Sequence, residues 1–365
     1  MTLEIIEITK RFGNFTLGPL SLSIGKEVMV ILGPTGSGKT TLINLVAGIM
    51  TPDKGRIISD GVDITHLPTE SRKIGYVFQD PTLFPHLDVN ENILFGLKRK
   101  EKENIETITL VRKIIDDLDI GHLQKRTIDG LSAGEMQKIA LARMLVTSPK
   151  IILFDEPLSH LDPSTRNRLR IELRTILRKQ ELPTIYVTHF EEDIYALSDS
   201  IAILNNGMIE ERGNLEQMLN SHNTNRSTSQ SSFLYTVTGG GNYISGKVFS
   251  SENDLTAFKV GSNIMFTVGT FPLQSRIGVM IKKEDIILSR EKIITSARNM
   301  VYGEVVEIIR LSNLVDVHLK SDELKLISRI TCTSAEELAI TLGDHLYAIF
   351  KASAPHVVRE EIDKK

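Results

Sequence analysis

A glycine-rich run near the start of the sequence has the residue types that bind phosphate. The run reads Gly33-Pro34-Thr35-Gly36-Ser37-Gly38-Lys39-Thr40-Thr41. Its glycines allow successive backbone N–H groups to turn inward around an anion, and Lys39 can reach the outer phosphates of a nucleotide. The Thr40 hydroxyl can bind Mg²⁺, which prefers oxygen ligands. The run therefore predicts a site for a nucleoside triphosphate and Mg²⁺.

Two adjacent carboxylates and one imidazole are suited to act on the bound nucleotide. Asp155 and Glu156 follow the apolar run Ile151–Phe154, and His189 directly follows Ile185–Thr188. In a parallel sheet, ligands bind at the carboxyl ends of the strands. We expect Asp155 to hold Mg²⁺ through water, Glu156 to orient or deprotonate the attacking water, and His189 to contact the γ-phosphate.

The elements that must position these residues alternate between strands and helices over residues 3–213. Short apolar runs predict buried strands, and longer segments with apolar residues at helical spacing predict helices. This alternation is typical of an α/β fold with a largely parallel sheet. The predicted strands are 28–32, 74–78, 151–154, 184–187 and 201–204, and the predicted helices are 39–49, 105–118, 133–146 and 163–178.

Overall composition limits the partners of the chain. Its 365 residues are enough for two or three domains, and its net charge of −3 gives no broad basic surface, so no nucleic-acid partner is expected. One cysteine, Cys332, excludes an intrachain disulfide and a cysteine-rich zinc site. No signal peptide or stretch of about 18 apolar residues is present, so a role at a membrane would need a partner protein.

A change in composition indicates a second domain. Residues 220–232 carry no apolar side chain and cannot form a core. We therefore predict a domain over 1–219, a linker over 220–234 and a β-rich domain, a small barrel or sandwich, over 235–365. An internal repeat with a displacement of 57 positions predicts two similar modules in that domain. Its two copies are Asn242-x-x-x-Gly246-x-Val248 and Asn299-x-x-x-Gly303-x-Val305.

The order of the motifs resembles that of the ATP-binding-cassette ATPases of membrane transporters. Between the phosphate loop and Asp155-Glu156 lie Gln79 and Leu131-Ser132-Ala133-Gly134-Glu135, and beyond them come Ser159-His160-Leu161-Asp162 and His189. The resemblance covers residues 3–220 and implies a P-loop NTPase cassette with a helical subdomain. It also implies ATP and Mg²⁺ as ligands, and a homodimer in which two chains complete each ATP site.

The resemblance assigns further roles residue by residue. Phe12 looks like the aromatic residue that stacks on adenine. Gln79 resembles the residue that senses Mg²⁺ and the attacking water. Ser132 and Gly134 resemble the signature residues that contact the γ-phosphate bound by the other subunit. Asp162 resembles the loop that communicates across the dimer.

At two positions the sequence departs from the usual pattern of the family. Ala133 stands where Gly is commonest, and Glu135 where Gln is common. A methyl group at a helix start is sterically mild, so we expect ATP hydrolysis to survive. The expected catalytic residues are Lys39, Gln79, Glu156 and His189, and those expected for Mg²⁺ are Thr40, Gln79 and Asp155.

The resemblance also implies membrane partners. The apolar segment Pro81–Leu87, punctuated by prolines, follows Gln79 in the region that contacts a transmembrane permease subunit in this family. An extracytoplasmic solute-binding protein completes such import systems. These partners imply a position at the cytoplasmic face of the cell membrane.

The C-terminal domain resembles the transport-associated oligomer-binding (TOBE) fold, an OB-like β domain of some import ATPases. Its second module contains the segments Thr295–Gly303, Ile330–Ser334 and Lys351–Ala354. These three segments, in this order, look like those that surround the oxyanion in molybdate- and tungstate-binding domains. A tetrahedral dianion needs hydroxyl, backbone N–H and cationic donors from several directions. The resemblance implies feedback, in which bound oxyanion holds the ATPases apart and stops uptake. The candidate oxyanion ligands are Ser296, Ala297, Arg298, Asn299, Thr331, Ser334, Lys351 and Ser353.

Other functions share parts of this pattern. ATPases for the import of sulfate, ferric iron or sugars have the same cassette and a similar tail, which would then be structural. Soluble ATPases that act on nucleic acid or ribosomes ordinarily have two cassettes or long coiled-coil insertions, and a gene regulator would need a basic recognition helix. The sequence has neither two cassettes, nor long coiled-coil insertions, nor a basic recognition helix. We expect the energising ATPase of a molybdate or tungstate importer, and the ATPase of an importer for another solute is the alternative.

Overall fold

The computed structural model describes residues 1–214, residue 218 and residues 241–361. The chain divides into two compact units, residues 1–237 and residues 238–365. The predicted linker at 220–234 lies outside the described residues, so the domain boundaries stay a prediction. Among the described residues, no helix is long and apolar enough to cross a membrane.

A six-stranded sheet forms the centre of the first unit. The strands of this unit are β1 (Leu3–Phe12), β2 (Phe15–Ile24), β3 (Val28–Leu32), β4 (Lys54–Ser59), β5 (Val62–Asp63), β6 (Ile74–Val77), β7 (Ile151–Asp155), β8 (Thr184–Val187), β9 (Ser200–Asn205) and β10 (Met208–Asn214). The sheet has the order β10-β9-β3-β8-β7-β6 and is parallel except for the pair β9 and β10. Every residue of β3, β7 and β8 is buried, as expected for parallel strands covered on both faces.

A second sheet in the first unit is antiparallel and has the order β2-β1-β4-β5. Only Gly13 and Asn14 separate β1 from β2, and so short a connection can join antiparallel strands but not parallel ones. The sequence pattern predicted the parallel sheet and did not predict this one. The antiparallel sheet carries Phe12 at the end of β1.

Helices cover the parallel sheet and form a separate group between β6 and β7. They are α1 (Lys39–Ala47), α2 (Val89–Leu94), α3 (Arg99–Lys102), α4 (Ile105–Asp117), α5 (Ala133–Leu145), α6 (Pro163–Gln180) and α7 (Glu191–Leu197). In the group that follows β6, α5 packs against α2 and α4 and also contacts α6. Helices α5 and α6 begin at the predicted residues because Ser132 and Asp162 cap them.

The second unit contains two five-stranded antiparallel sheets around one apolar core. Its elements are β11 (Asn242–Glu252), β12 (Leu255–Val260), β13 (Asn263–Val268), β14 (Arg276–Ile281), β15 (Ile287–Ser289), β16 (Asn299–Arg310), β17 (Leu314–Ser321), β18 (Leu324–Thr331), α8 (Cys332–Glu337), β19 (His345–Phe350) and β20 (His356–Glu361). The sheets have the orders β13-β12-β11-β14-β20 and β15-β19-β16-β17-β18. β20, the last strand, therefore completes the sheet that contains the first strand of the unit.

The repeated asparagines join these two sheets. Asn242 begins β11, accepts a hydrogen bond from Ile327 N in β18 and donates one to Ile327 O over 2.9 Å. Asn299 begins β16 and makes the same pair of bonds with Phe266 of β13, over 2.7 and 2.9 Å. Both asparagine side chains are buried. Each copy of the repeat therefore contributes a buried amide that bonds its own sheet to the other one.

Candidate nucleotide site

The phosphate loop connects the buried strand β3 to helix α1. Gly38 directly precedes α1 with a φ of 105°, a left-handed conformation that favours glycine. A Cβ at this position would lie 2.8 Å from Leu17 Cδ1, so the Leu17 side chain would have to move to admit it. The loop thus leads into the N-terminus of α1, where free backbone N–H groups and the helix dipole favour an anion.

Lys39 begins α1 and folds back over the phosphate loop. Its Nζ donates hydrogen bonds to Gly33 O over 2.7 Å and to Pro34 O over 2.9 Å. Burial lowers the pKa of Lys39, and the charges of Glu156 and Asp155 act in the opposite direction. The ammonium group and the two predicted carboxylates therefore influence each other beside the loop, as the sequence predicted.

Asp155 ends β7 among side chains that donate hydrogen bonds to it. Burial raises the pKa of Asp155, and a hydrogen bond from the Thr40 hydroxyl partly offsets that rise. Tyr76 Oη lies 3.5 Å from Asp155 Oδ2 and 3.2 Å from Asn44 Oδ1. Burial also raises the pKa of Tyr76, so its phenol stays protonated beside the carboxylate.

The Thr40 hydroxyl and the Asp155 carboxylate fit Mg²⁺, a cation that takes oxygen ligands and usually keeps several waters. In the described parts of the chain, no group of three or more His, Cys, Asp or Glu side chains could hold a metal ion by itself. Mg²⁺ would be held by these two side chains together with the phosphates of the nucleotide, and a contribution from Gln79 stays a prediction. When bound, the ion would neutralise charge on those phosphates.

Glu156 and His189 meet at the carboxyl ends of the neighbouring strands β7 and β8. Glu156 Oε2 lies 2.9 Å from His189 Nδ1. Glu156 N donates to Val187 O over 3.0 Å, and Glu156 has a φ of 46°, which is uncommon for a residue with a Cβ. The side chains of Glu156 and His189 are 22% and 50% exposed. The carboxylate is therefore held by the imidazole and remains accessible to water.

Gln79 lies beside the loop that precedes α6. Gln79 Nε2 is 3.3 Å from His160 Nε2, and His160 Nδ1 is 3.0 Å from Asp80 Oδ1. Two residues later Asp162 caps α6, and a hydrogen bond from Ser164 lowers the pKa of Asp162. The structure thus brings Gln79, which follows β6, next to the loop that contains His160 and Asp162, which follows β7.

The predicted signature residues lie at the start of α5. Ser132 Oγ accepts from Glu135 N over 3.3 Å, and Ser132 N donates to Glu135 Oε2 over 2.8 Å, the arrangement of a capping box. Ser132 Oγ also donates to Glu135 Oε2 over 2.7 Å. The hydrogen bond from Ser132 lowers the pKa of Glu135. A Cβ on Gly134 would lie 2.7 Å from Thr165 Cγ2, so glycine allows α5 to pack closely on α6. A contact of Ser132 and Gly134 with nucleotide on another chain stays a prediction.

Phe12 has an accessible ring at the end of β1. Its side chain is 40% exposed, and Lys10 Nζ lies 6.0 Å from the ring centroid. Stacking of Phe12 on adenine stays a prediction.

Sequence reasoning missed Asn44, Tyr76 and Asp80. Asn44 lies four residues after Thr40 in α1, so helical spacing could have placed both on one face. Asp80 directly follows Gln79 and could have been considered with it. Tyr76 gave no such signal, because its place beside Asp155 depends on the pairing of β6 with β7.

Comparisons with known proteins give the family. The family models described as ABC transporter and TOBE domain match residues 17–159 and 295–357. The molybdate/tungstate import ATP-binding protein WtpC of Pyrococcus abyssi is 36% identical over 353 residues, which cover 96% of this chain and 98% of that protein. The chain belongs to the ATP-binding-cassette import ATPases. This import ATPase hydrolyses ATP, as its sequence predicted.

Two further matches define how specific the likeness is. The Fe(3+) ions import ATP-binding protein FbpC of Photorhabdus laumondii is 34% identical to this import ATPase over 290 residues, 79% of the chain and 80% of that protein. A crystal structure of a nucleotide-free ATP-binding cassette from an ABC transporter covers 63% of this chain and 98% of its own, with 27% identity and a TM-score of 0.55. Relatives named for different cargoes therefore share the cassette.

The candidate oxyanion residues of the import ATPase fall in two places. Asn299 Nδ2 lies 3.4 Å from Lys351 O, so the turn before β16 meets the segment after β19. Thr331 and Ser334 are joined by a hydroxyl contact of 2.9 Å at the start of α8, and Thr331 pairs with Leu314, beyond the opposite end of β16. Within one chain, the two groups thus lie at opposite ends of that strand. The first group consists of residues 296–299, 351 and 353. In it Asn299 is buried and Ala297 is half-buried, and the exposed members are Ser296, Arg298, Lys351 and Ser353.

The segment Pro81–Leu87 is fixed to the helical group of the import ATPase. Asn92 of α2 accepts a hydrogen bond from Phe84 N over 2.8 Å and donates one to Phe84 O over 3.1 Å. The Phe84 ring lies 4.2 Å from the Phe95 ring, and the Arg143 guanidinium lies 5.4 Å from the Phe84 ring centroid. Phe84 is half-buried in this position. The segment therefore has a defined shape on which a partner could dock.

Proposed function

We propose that this import ATPase drives the uptake of molybdate or tungstate through a separate permease subunit. The observation that carries the proposal is the contact between Asn299 and Lys351, which brings together the segments that bear Arg298 and Lys351. Two cations with neighbouring hydroxyl groups suit a tetrahedral dianion. The likeness to the Pyrococcus abyssi protein supports the same cargo, since it spans 96% of the chain. The protein would act at the cytoplasmic face of the membrane with its permease and an extracytoplasmic solute-binding protein.

In this proposal two copies of the chain bind two ATP molecules between them. The phosphate loop of one copy faces Ser132 and Gly134 of the other, so the N-termini of α1 and α5 would both point at the roughly four negative charges of ATP. Glu156 orients or deprotonates the attacking water, while His189 contacts the γ-phosphate. Hydrolysis removes the phosphate that links the copies and releases them.

The proposed tail function follows from the separation of the two groups of candidate ligands. Residues 1–219 would form the nucleotide-binding domain, 220–234 the linker and 235–365 the regulatory domain. Thr331 and Ser334 lie at the opposite end of β16 from Lys351 in one chain. A pocket that contains both groups of candidate ligands would therefore form between the C-terminal domains of two chains. Oxyanion bound there would hold the ATPase domains apart and lower ATP turnover.

We expect tungstate and molybdate to bind the full-length chain and sulfate to bind much more weakly. Lys351→Ala should lower the affinity for tungstate by roughly 10- to 100-fold, because a hydrogen bond to a charged group contributes about 1.5 to 3 kcal/mol. Isothermal titration calorimetry of the chain with each oxyanion measures this. An ATPase assay with reconstituted transporter should show inhibition by the same oxyanion.

Lys282→Ala is the matched control for that experiment. Lys282 is exposed and follows β14 as Lys351 follows β19, but the first module has Gly239-Gly240-Gly241-Asn242 where the second has Ser296-Ala297-Arg298-Asn299. The control should bind tungstate like the unchanged chain. Equal losses in both variants, or no heat with either metal oxyanion at millimolar concentration, would contradict an oxyanion site at this place.

The second candidate function is import of another solute with a structural tail. It is favoured by the likeness to the FbpC protein over 79% of this chain. In that case the tail would bind neither tungstate nor molybdate, and transport in reconstituted vesicles would follow ferric iron, sulfate or a sugar. The calorimetry above separates the two candidates.

Phe84→Asp should abolish transport while ATP hydrolysis by the free chain stays within about twofold of the unchanged rate. The charge would lie on the apolar segment proposed to contact the permease, and burial of an unpaired charge in that contact is costly. Paired measurements of uptake into proteoliposomes and of ATPase rate in solution check this.

Ile105→Asp is a suitable control, because Ile105 is an apolar side chain on α4 with 80% exposure. It should leave both rates unchanged. If Phe84→Asp lowered the ATPase rate of the free chain as much as uptake, the segment would not be a coupling surface.

A further inference from the structure

His160 connects two segments of the nucleotide site. It lies in the loop between β7 and α6, where its Nε2 is 3.3 Å from Gln79 Nε2 and its Nδ1 is 3.0 Å from Asp80 Oδ1. The ring is 56% exposed, so its position depends on these two contacts more than on packing. None of the roles described above uses this histidine.

The two contacts determine which ring nitrogen carries the proton. An ionised carboxylate only accepts hydrogen bonds, so Nδ1 must donate to Asp80. In a neutral imidazole, Nε2 is then an acceptor, and the partner that faces it must donate. The NH₂ group of Gln79 meets that requirement, and the carbonyl Oε1 of Gln79 cannot.

This arrangement fixes the orientation of the Gln79 amide. With its NH₂ group on His160, the amide has Oε1 as its remaining polar atom. Mg²⁺ binds oxygen and not an amide nitrogen, so only this orientation of the amide presents a ligand to the metal. A reversed amide would present the NH₂ group instead.

We propose that His160 is a positioning residue, which holds the Gln79 amide with its oxygen directed to the Mg²⁺ of bound ATP. The proposal rests on the proposed nucleotide site. It also gives the loop that contains Asp162 a direct link to the metal, because His160 and Asp162 are two residues apart. A partner chain that moves this loop would thereby move Gln79.

Two substitutions of His160 separate its contact with Gln79 from its contact with Asp80. In His160→Gln, the terminal amide can reach the position of Nε2 and accept from Gln79. In His160→Asn, the shorter amide can reach only the position of Nδ1 and bond to Asp80. The readout is equilibrium binding of a fluorescent, non-hydrolysable ATP analogue, measured with excess Mg²⁺ and again with EDTA.

The ratio of the Kd with EDTA to the Kd with Mg²⁺ should fall roughly fivefold in His160→Asn, as expected for the loss of one neutral hydrogen bond. It should stay within about twofold of the unchanged ratio in His160→Gln. All three proteins should bind the analogue equally in EDTA and melt at the same temperature. A merely structural role would change the Kd in EDTA or the melting temperature.

Three results would overturn the proposal in different ways. If the unchanged chain binds the analogue with a Mg²⁺-dependent Kd and His160→Asn keeps that dependence, His160 does not position Gln79, although the nucleotide site stands. If the unchanged chain does not bind the analogue under either condition, the proposed nucleotide site fails, and if it binds equally with Mg²⁺ and with EDTA, only the metal-directed role of His160 fails.

Discussion

Glu156→Gln should lower the rate of ATP hydrolysis by roughly 10²- to 10⁴-fold, the usual contribution of a general base. The substitution removes a carboxylate that lies 2.9 Å from His189 Nδ1 at the end of β7, and an amide cannot accept the proton of the attacking water. Nucleotide binding should persist, because Lys39, the phosphate loop and Asp155 are unchanged. Steady-state phosphate release and equilibrium binding of ATP measure the two effects separately.

The control for this substitution is Glu70→Gln, an exposed glutamate in the short turn before Arg72. Its rate should equal that of the unchanged chain. A Glu156→Gln variant that retained more than about a tenth of the rate would assign the proton transfer to another group.

Asp316→Asn should destabilise the second unit by about 3 to 5 kcal/mol, the usual result of removing one partner from a buried ion pair. Asp316 is buried between two cations: Lys283 Nζ lies 3.0 Å from its Oδ2, and Arg329 Nε lies 2.7 Å from its Oδ1. Lys283 is buried as well. The variant would leave both cations without the carboxylate that they share.

The same carboxylate should make the second unit sensitive to acid. Burial by itself raises the pKa of Asp316, but hydrogen bonds from Arg329 and Lys283 outweigh this and hold the pKa below its ordinary value. A depressed pKa in the folded state means that Asp316 contributes stability above the pKa of the unfolded chain. This contribution is lost as the pH falls through the lower, folded pKa. The difference between the variant and the unchanged chain should therefore shrink in acid.

Urea unfolding of the full chain at neutral and acidic pH measures both the stability that Asp316→Asn loses and how that loss changes with pH. Each unit gives a separate transition where the two unfold independently. Asp344→Asn is the matched control, since Asp344 contacts Arg290 over 2.8 Å in a partly exposed pair. A surface pair of this kind contributes about 0 to 1 kcal/mol. Equal effects of the two substitutions would show that burial of the Asp316 pair is not what stabilises the unit.

The positions of Asp155, Glu156 and His189 at one edge of the sheet could be predicted from sequence, because these residues end or directly follow buried strands. The structure has β3 over Val28–Leu32 and β8 over Thr184–Val187, the predicted bounds, since every residue in both strands is apolar or buried. Once those strands pair in parallel, the residues after them must meet at one edge. That constraint brought Glu156 next to His189.

Features that depend on tertiary register could not be predicted in this way. The repeat of Asn242 and Asn299 was visible in sequence, but its partners Ile327 and Phe266 lie 85 and 33 positions away, respectively. The contact of His160 with Gln79 spans 81 positions and joins two loops. The separation of Thr331 from Lys351 depends on how β16, β17 and β18 pair. No local pattern records such pairings.

The central claim, that two chains enclose ATP, is tested most directly by the mass of the Glu156→Gln variant in solution. In buffer free of molybdate and tungstate, so that no oxyanion links the tails, light scattering during size exclusion should give about twice the 40.8 kDa of one chain with ATP and Mg²⁺, and the mass of one chain with ADP. Adding Ser132→Ala should weaken the ATP-dependent pair. A variant that binds ATP but has the same mass with ATP and with ADP would contradict the account.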